Sequence, residues 1–541
     1  MNAIDLGGRE QIEAPERASA PNRTRLAAWN VATLLVFTAV TTVTGLAATP
    51  WIVHWLNEER YGAAKLIGDY GGYLALLELG LGGALSPLLA RAAGQGDERT
   101  LQGTIAAGVR LYLGVAVLIV TVGLLLGTVV GRLVPVSSAF VGDLRLAWFI
   151  AVSGFALLVL SPFRALTEAR QWGYRVNLLL TAQAVLIAAL SLLWAWRGWG
   201  ITGQVLALLV GNTIVSLVLA RDGARHHPGL LRTTLTVRPA PETWRALWRL
   251  SPPTLAINLC GRIGLLTDYI VVSQILGVAP ITTLFLTQRL AVLAQAQLQG
   301  IGGAAWAGLA ELHARGELGT FRRRLIELTN MVAILGVAML GPIVAYNRHF
   351  FVLWVPSQSY GGDVVVLVAA ANALLLGLSS LWNWCFVGTG QVRLVLPLIA
   401  AGSVVNLAAS VSLTWWLRSM SGPLLGTTLA ALVVNLWAMP LLLRQTFGVS
   451  LRALASAVAT PLAWGTLYTA GLWWLAHIHR PRGWLGLAAE TGLAVLGFLA
   501  LAWFILLNST DRNLWRQRLT GLLPNRVRRR EHSDSSTLED V

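Results

Sequence analysis

The stretch LELGLGGALSPLLARAAGQGDE, Leu77 to Glu98, places a carboxylate, a proline and several glycines inside an apolar run that then becomes polar. Glycine and proline weaken a helix in water, yet both are frequent in membrane helices, where small residues let two backbones approach closely. The final residues, GQGDE, are those that commonly end a helix. The stretch therefore predicts a membrane helix that packs tightly against a neighbour and leaves the bilayer near Gly94.

The rest of the chain shares this membrane character. Of its 541 residues, 55% are hydrophobic and only 12% are charged, and the mean hydropathy is +0.63, whereas soluble domains contain roughly 25% charged residues. Apolar stretches of about 20 residues, each long enough to cross ~30 Å of hydrocarbon, recur from about Trp29 to Leu507, and about 14 can be distinguished. The composition predicts an all-α polytopic membrane protein.

The basic residues follow the predicted topology. The formal charge is +16, but 30 of the 41 Lys and Arg residues fall in the two tails and the alternate loops on one side, against nine on the other side. Because cytoplasmic loops carry an excess of Lys and Arg, both termini are expected in the cytoplasm. This distribution favours a phospholipid bilayer, and no nucleic acid, as the partner of the basic charge.

The glycine-rich stretch that begins at Gly80 occurs twice in the chain. A shift of 220 residues lays GLGGALSPLLARAAGQGDERTL from Gly80 over GIGGAAWAGLAELHARGELGTF from Gly300 without a gap, and it also lays Gln171 over Gln391. Two copies of six spans, each with an even number of crossings, are parallel repeats. The shared glycines, expected to be sites of close helix packing, are Gly80, Gly82 and Gly83 in the first copy and Gly300, Gly302 and Gly303 in the second.

The repeat and the polar segments predict the boundaries of the chain's parts. A polar cytoplasmic tail, residues 1–27, precedes an N-terminal lobe of six spans, 28–220. A cytoplasmic linker rich in Arg, His and Pro, 221–249, leads to a C-terminal lobe of six spans, 250–444. Two further spans lie within 451–507, and a tail that is first basic and amphipathic and then acidic occupies 508–541.

Two motifs carry a family resemblance. The pattern YG…L…GYL.LLELGLGGAL…LAR…GD, from Tyr61 to Asp97, resembles the first-lobe signature of Wzx-type oligosaccharide flippases, and LTDYIVVSQILG, from Leu266 to Gly277, is similar to their seventh span. The resemblance places the chain in the multidrug/oligosaccharidyl-lipid/polysaccharide exporter superfamily. It implies two six-helix lobes in a V around a central cavity, alternating access, and export of an undecaprenyl-diphosphate-linked oligosaccharide across the bacterial inner membrane.

Ionisable residues inside spans are the candidate site residues, because each costs ~2.5–3.5 kcal/mol to insert and normally faces a cavity or a partner. Asp69 and Arg289 are 220 residues apart, so the repeat places them at equal depth, and Asp268 is expected in the same layer. Arg289 and Arg262 either bind the diphosphate, since guanidinium matches phosphate oxygens, or form ion pairs with Asp268 or Glu78. Lys65 is expected to pair with Asp69, and Glu78 is either a protonatable coupling site or a packing residue.

Three glutamines predict a polar face on the eighth span. Gln288, Gln295 and Gln299 are spaced seven and four residues apart and would lie on one side of a continuous helix. Such a face either binds the hydroxyls of a sugar or forms hydrogen bonds between packed helices.

The alternatives to a flippase are a drug/cation antiporter of the same superfamily and, less favoured, a membrane glycan polymerase or transferase. No motif predicts a metal site, a cofactor or ATP binding, so the expected energy source is an H⁺ or Na⁺ gradient, the membrane potential or the substrate gradient. The two cysteines, Cys260 and Cys385, are expected to be buried filler.

Overall fold

The structure, a computed structural model, describes residues 20–78, 80–95, 98–170, 172–226 and 266–507, together with the single positions 245, 255, 259, 261, 262, 512 and 516. Most of the predicted linker and of both predicted tails lies outside these residues, as do Asp97, Gln171 and Cys260.

The regular structure of the described residues is entirely helical. The α-helices are α1 Ala20–Leu56, α2 Glu58–Leu74, α3 Leu81–Gln95, α4 Glu98–Gly127, α5 Val130–Leu133, α6 Val141–Ser153, α7 Ser161–Ala169, α8 Gly173–Trp196, α9 Gly200–His226, α10 Leu266–Leu276, α11 Ala279–Thr287, α12 Arg289–Ala314, α13 Leu318–Trp354, α14 Asp363–Gly388, α15 Val392–Leu417, α16 Gly422–Ala430, α17 Leu436–Phe447, α18 Leu451–Ile478 and α19 Gly483–Leu501. Short 3₁₀ segments, among them Ala75–Glu78 and Gly154–Leu160, and two π-helical turns, Ala431–Asn435 and Ala502–Leu506, join some of them.

Ten helices among the described residues are long and apolar enough to cross a membrane. The sequence predicts about 14 spans. The second and eighth are each divided into shorter helices, the described part of the seventh is only Leu266–Leu276, and α18 contains too many small and polar residues to reach the same hydropathy. The chain is an all-helical multi-pass membrane protein, as its composition predicts.

Contacts divide the chain into two compact units, one from residues 1–52, 77–125 and 149–254 and the other from residues 53–76, 126–148 and 255–541. In the first unit α8 packs on α9, and α7 packs on both α3 and α9. In the second unit α12 packs on α14, and α13 packs on α14, α18 and α19. The predicted boundaries of the six-span lobes stay a prediction.

The core of the second unit lies among α12, α13, α14 and α17, where Phe321, Phe386 and Phe447 are fully buried. The last two helices are held by small residues and a polar contact: a Cβ added at Gly465 would lie 2.5 Å from Val337 Cγ1, and the Tyr468 hydroxyl donates to Ala494 O at 2.7 Å. Cys385 is buried in this core and carries no disulfide, in keeping with its expected role as filler.

Candidate substrate site

The candidate site lies in the second unit, where α2 packs against α11. The Asp69 carboxyl on α2 interacts electrostatically with Lys65 and with Asp268. Both carboxyls also interact electrostatically with the Tyr73 and Tyr269 hydroxyls. Tyr73 also shares a hydrogen bond with Thr267, the neighbour of Asp268, at 2.5 Å. The structure therefore brings the two predicted carboxylates into one neighbourhood.

Arg289 and Lys65 lie over the same aromatic ring, that of Phe285. The guanidinium carbon of Arg289 lies 5.3 Å from the centre of the Phe285 ring, and Lys65 Nζ lies 4.3 Å from the same ring. The rings of Tyr61 and Tyr269 have their centroids 5.8 Å and 6.5 Å from that of Phe285. Cations over an aromatic face are attracted by its quadrupole, which places two positive charges at one ring without neutralising either.

No ion pair among the described residues neutralises these charges. Asp69 Oδ2, Asp268 Oδ1 and Arg289 Nε are buried and have no hydrogen-bond partner. The expected Lys65–Asp69 ion pair is wrong, because the ammonium lies over Phe285 and, at 5.1 Å, over Tyr61 instead. An unneutralised charge in a membrane protein is costly and is commonly retained for function.

Arg289 lies directly after a break in the eighth span. The chain turns at Gly277, whose φ of +96° favours glycine, then forms α11 and is interrupted at Gln288, so that Arg289 is the first residue of α12. Asn347 Nδ2 on α13 donates to the freed Thr287 carbonyl at 3.1 Å, and Gly361 N donates to Thr287 Oγ1 at 2.8 Å. Helical hydrogen bonds are present on both sides of the break, from Gln288 N to Leu284 O at 3.1 Å and from Val292 N to Gln288 O at 3.0 Å.

Arg262 is exposed and lies against α2 at a different point. Its Nη1 would be 3.0 Å from a Cβ added at Gly72, one turn beyond Asp69, and Leu266 Cδ1 would be 2.5 Å from the same Cβ. Arg262 and Leu266 thus approach α2 closely at Gly72. The structure shows Arg262 next to the helix that carries Asp69, but no ion pair of Arg262 with Asp268 or Glu78 among the described residues.

Glu78 forms its hydrogen bonds within the first unit. Its Oε1 accepts hydrogen bonds from the backbone N–H of Gly82, at 3.0 Å, and from the Tyr112 hydroxyl. It thus caps the N-terminus of α3, which begins just after Gly80 turns the chain with a φ of +74°. Of the two interpretations of Glu78, this geometry favours the packing residue.

The three glutamines lie at and after the break in the eighth span. Gln288 is buried at the break, and its Nε2 donates to the Tyr269 hydroxyl at 2.9 Å. Gln295 and Gln299 are half-buried on α12, after the break. Gln288 thus lies at the break and bonds a tyrosine, whereas Gln295 and Gln299 lie within α12, and a face shared by all three stays a prediction.

The repeated glycines have unlike surroundings. A Cβ on Gly302 would lie 3.0 Å from the backbone Cα of Leu381, and one on Gly82 would lie 2.9 Å from Glu78 Oε1. Gly300 and Gly303 have open space where a Cβ would be. Close packing is thus found at Gly302, whereas the role of Gly83 stays a prediction.

Sequence reasoning missed the polar contacts near the start of α2. Thr282 Oγ1 donates to the Glu58 backbone carbonyl at 2.6 Å, and the Ser359 hydroxyl bonds the Glu58 carboxylate. Gln274 Nε2 donates to Leu133 O at 2.7 Å. These hydrogen bonds join residues from both halves of the chain within the second unit. In the sequence, only the charge of Glu58, beside a predicted outer loop, could have suggested them.

Among the described residues, no group of three His, Cys, Asp or Glu side chains could hold a metal ion. Glu490, for which the sequence suggests no role, has its Oε1 3.1 Å from His479 Nδ1.

Solved structures of several transporters share this fold. The lipid II flippase MurJ in an inward closed conformation aligns with a TM-score of 0.66 and 12% identity over 88% of this chain and 99% of that chain. A multidrug resistance MATE family transporter of the MOP superfamily in an inward-facing conformation gives 0.61 and 16% over 81% and 98%. A MOP superfamily transporter from Pyrococcus furiosus gives 0.58 and 16% over 83% and 96%.

No protein-family model and no curated protein matches the sequence. At these identities the likeness concerns the fold, and it extends over nearly the whole length of each neighbour. This chain therefore has the fold of the MATE and MurJ transporters of the MOP superfamily.

Proposed function

We propose that the protein is a flippase that moves an undecaprenyl-diphosphate-linked oligosaccharide across the bacterial inner membrane by alternating access, with both termini in the cytoplasm. The fold supports a transporter, and the neighbours with this fold include one flippase of a lipid-linked substrate. The Wzx-like motifs of the sequence support an oligosaccharide as the cargo.

The observation that carries the proposal is the free guanidinium of Arg289. It has no carboxylate partner among the described residues, it stands at the start of a 26-residue helix, and Lys65 shares its aromatic ring. Two cations are complementary to a diphosphate, whose oxygens a guanidinium can bind in pairs. Asp69 and Asp268 are the candidates for coupling to H⁺ or Na⁺, because they carry buried oxygens with no partner.

The test is translocation by the full-length protein in proteoliposomes. A fluorescent polyprenyl-diphosphate trisaccharide is supplied on one side, and its appearance on the other is followed with a membrane-impermeant quencher. Arg289→Ala is expected to lose transport while still folding, and Arg289→Lys is expected to keep part of it, because Lys retains the charge without the paired donors.

Arg315→Ala is the matched control. Arg315 is exposed, and its ion pair with Glu311 joins neighbouring turns of one helix end, so its removal should change transport little. Full transport by a folded Arg289→Ala protein would reject the proposal.

A drug/cation antiporter is the second candidate, and one observation favours it. Asp69 and Asp268 form an acidic pair beside aromatic rings, which could bind an organic cation. In the same vesicles, ethidium uptake that is lost in Asp268→Asn but kept in Arg289→Ala would favour the antiporter over the flippase.

A further inference from the structure

A cavity lies in the second unit, among α12, α14, α15 and the π-helical turn Ala431–Asn435. Its volume is about 430 Å³, within the range of small-molecule sites. Among the described residues that line it, most are apolar and none is charged, and the polar ones that carry the argument are Gln299, Ser379, Asn383, Trp384, Ser403 and Asn435. A cavity with amides, hydroxyls and an indole suits a neutral, hydroxyl-rich group.

Asn383 is the amide that the fold itself does not use. Its Oδ1 is buried without a hydrogen-bond partner. Asn372, on the same helix, has hydrogen bonds at both ends of its amide. Its Nδ2 donates to Leu424 O at 2.8 Å, and its Oδ1 accepts from the Thr428 hydroxyl at 2.8 Å. Because buried polar groups are nearly always paired, the Asn383 carbonyl is the group in this wall that a donor from a bound molecule would satisfy.

The wall opposite α14 has an irregular backbone. The π-helical turn interrupts the helix that runs from Gly422 to Phe447, and such turns are frequent at functional sites. It brings the Asn435 side chain over Gly402, where an added Cβ would lie 3.4 Å from Asn435 Oδ1. Trp384 lies against Gly302 on α12 and stacks on Trp306, with ring centroids 6.0 Å apart. The cavity thus has two amides and a supported aromatic ring.

We infer that this cavity binds a sugar residue of the cargo, an inference that rests on the proposed flippase function. Gln299 lies ten residues after Arg289, about 15 Å along α12. An oligosaccharide whose diphosphate is held at Arg289 can span that distance, whereas a single sugar cannot. The cavity therefore selects for cargo that already carries several sugars.

Binding to the full-length protein in nanodiscs tests the inference. The two probes are geranylgeranyl diphosphate and the same lipid diphosphate bearing chitotriose, and titration calorimetry gives their affinities. Two hydrogen bonds, each changing affinity about threefold, make the glycosylated probe bind about tenfold more tightly to the wild type. Asn383→Leu loses this preference and keeps the affinity for the sugar-free probe.

Thermal melting separates binding from structure. Asn383→Leu removes a buried polar atom without a partner, so it melts at the same or a higher temperature than the wild type. Asn372→Leu, the control on the same helix, melts lower but keeps the glycan preference. Asn435→Leu is the second variant in the cavity and is expected to behave like Asn383→Leu.

Equal binding of the two probes by the wild type, or a preference that survives in both cavity variants, overturns the inference and leaves the flippase proposal standing. A wild type that binds neither lipid diphosphate overturns the flippase proposal, and this inference with it. Lower melting of Asn383→Leu together with unchanged glycan preference assigns Asn383 a structural role and contradicts the inference.

Discussion

The region from Glu58 to Gln95 and the region from Ala279 to Ala314 are related by the sequence repeat, and their outer limits agree within one residue of the 220-residue offset. Their interiors differ. The first is interrupted near Gly80, where Glu78 caps the following helix, and the second is interrupted at Gln288, twelve residues earlier in the aligned register. The two regions therefore begin and end at equivalent positions, whereas their breaks lie at different positions.

The consequence is functional asymmetry. Asp69 lies in the middle of α2, while its counterpart Arg289 is the first residue of α12, directly after the break at Gln288. One copy of the repeat thus presents a carboxylate on a regular helix, and the other presents a guanidinium at a helix start. A cargo with a diphosphate needs only the second arrangement.

The largest expected effect on stability concerns the close approach made in the second region. Gly302→Ala should lower the free energy of unfolding by about 1–3 kcal/mol, because the new Cβ meets the backbone of Leu381. Gly300→Ala, two residues away in open space, should raise it by up to ~1 kcal/mol through helix propensity. Melting in detergent measures both, and equal effects of the two substitutions would refute the difference in packing.

The break in the second region is tested at Asn347. Asn347→Leu leaves the buried Thr287 carbonyl without its donor, so stability should fall by about 1–2 kcal/mol, and transport should fall further because Arg289 is no longer held in place. Asn347→Asp cannot donate in its charged form and should not restore activity. Normal transport by either variant, at normal stability, would show that Asn347 does not hold the break.

The break in the first region should be less sensitive. Glu78→Gln keeps an acceptor for the Gly82 N–H and should change stability and transport little, whereas Glu78→Ala should cost about 1 kcal/mol through the lost cap. Melting and transport of the pair check this. A large loss of transport in a stable Glu78→Gln protein would favour the coupling role over packing.

The sequence predicts much of the fold because membrane helices and the repeat leave local signals. Apolar length indicates the spans. The segment ARGE, residues 314–317, which the repeat aligns with the helix-ending GQGD of the opening stretch, agrees with the end of α12 at Ala314 and the φ of +75° at Gly316. The site is harder to predict, because the break at Gln288 depends on Asn347 and Gly361, far along the chain, and contains no glycine or proline of its own. Lys65 likewise lies over Phe285 through packing that periodicity does not encode.

The central claim is that Arg289 is an uncommitted cation that binds a diphosphate, and the most direct test is the affinity of the purified protein for geranylgeranyl diphosphate. Arg289→Ala should weaken binding by about 10- to 100-fold, the range for a lost charge-assisted hydrogen bond, while Arg315→Ala should bind as the wild type does. Unchanged affinity in a folded Arg289→Ala protein would contradict the claim.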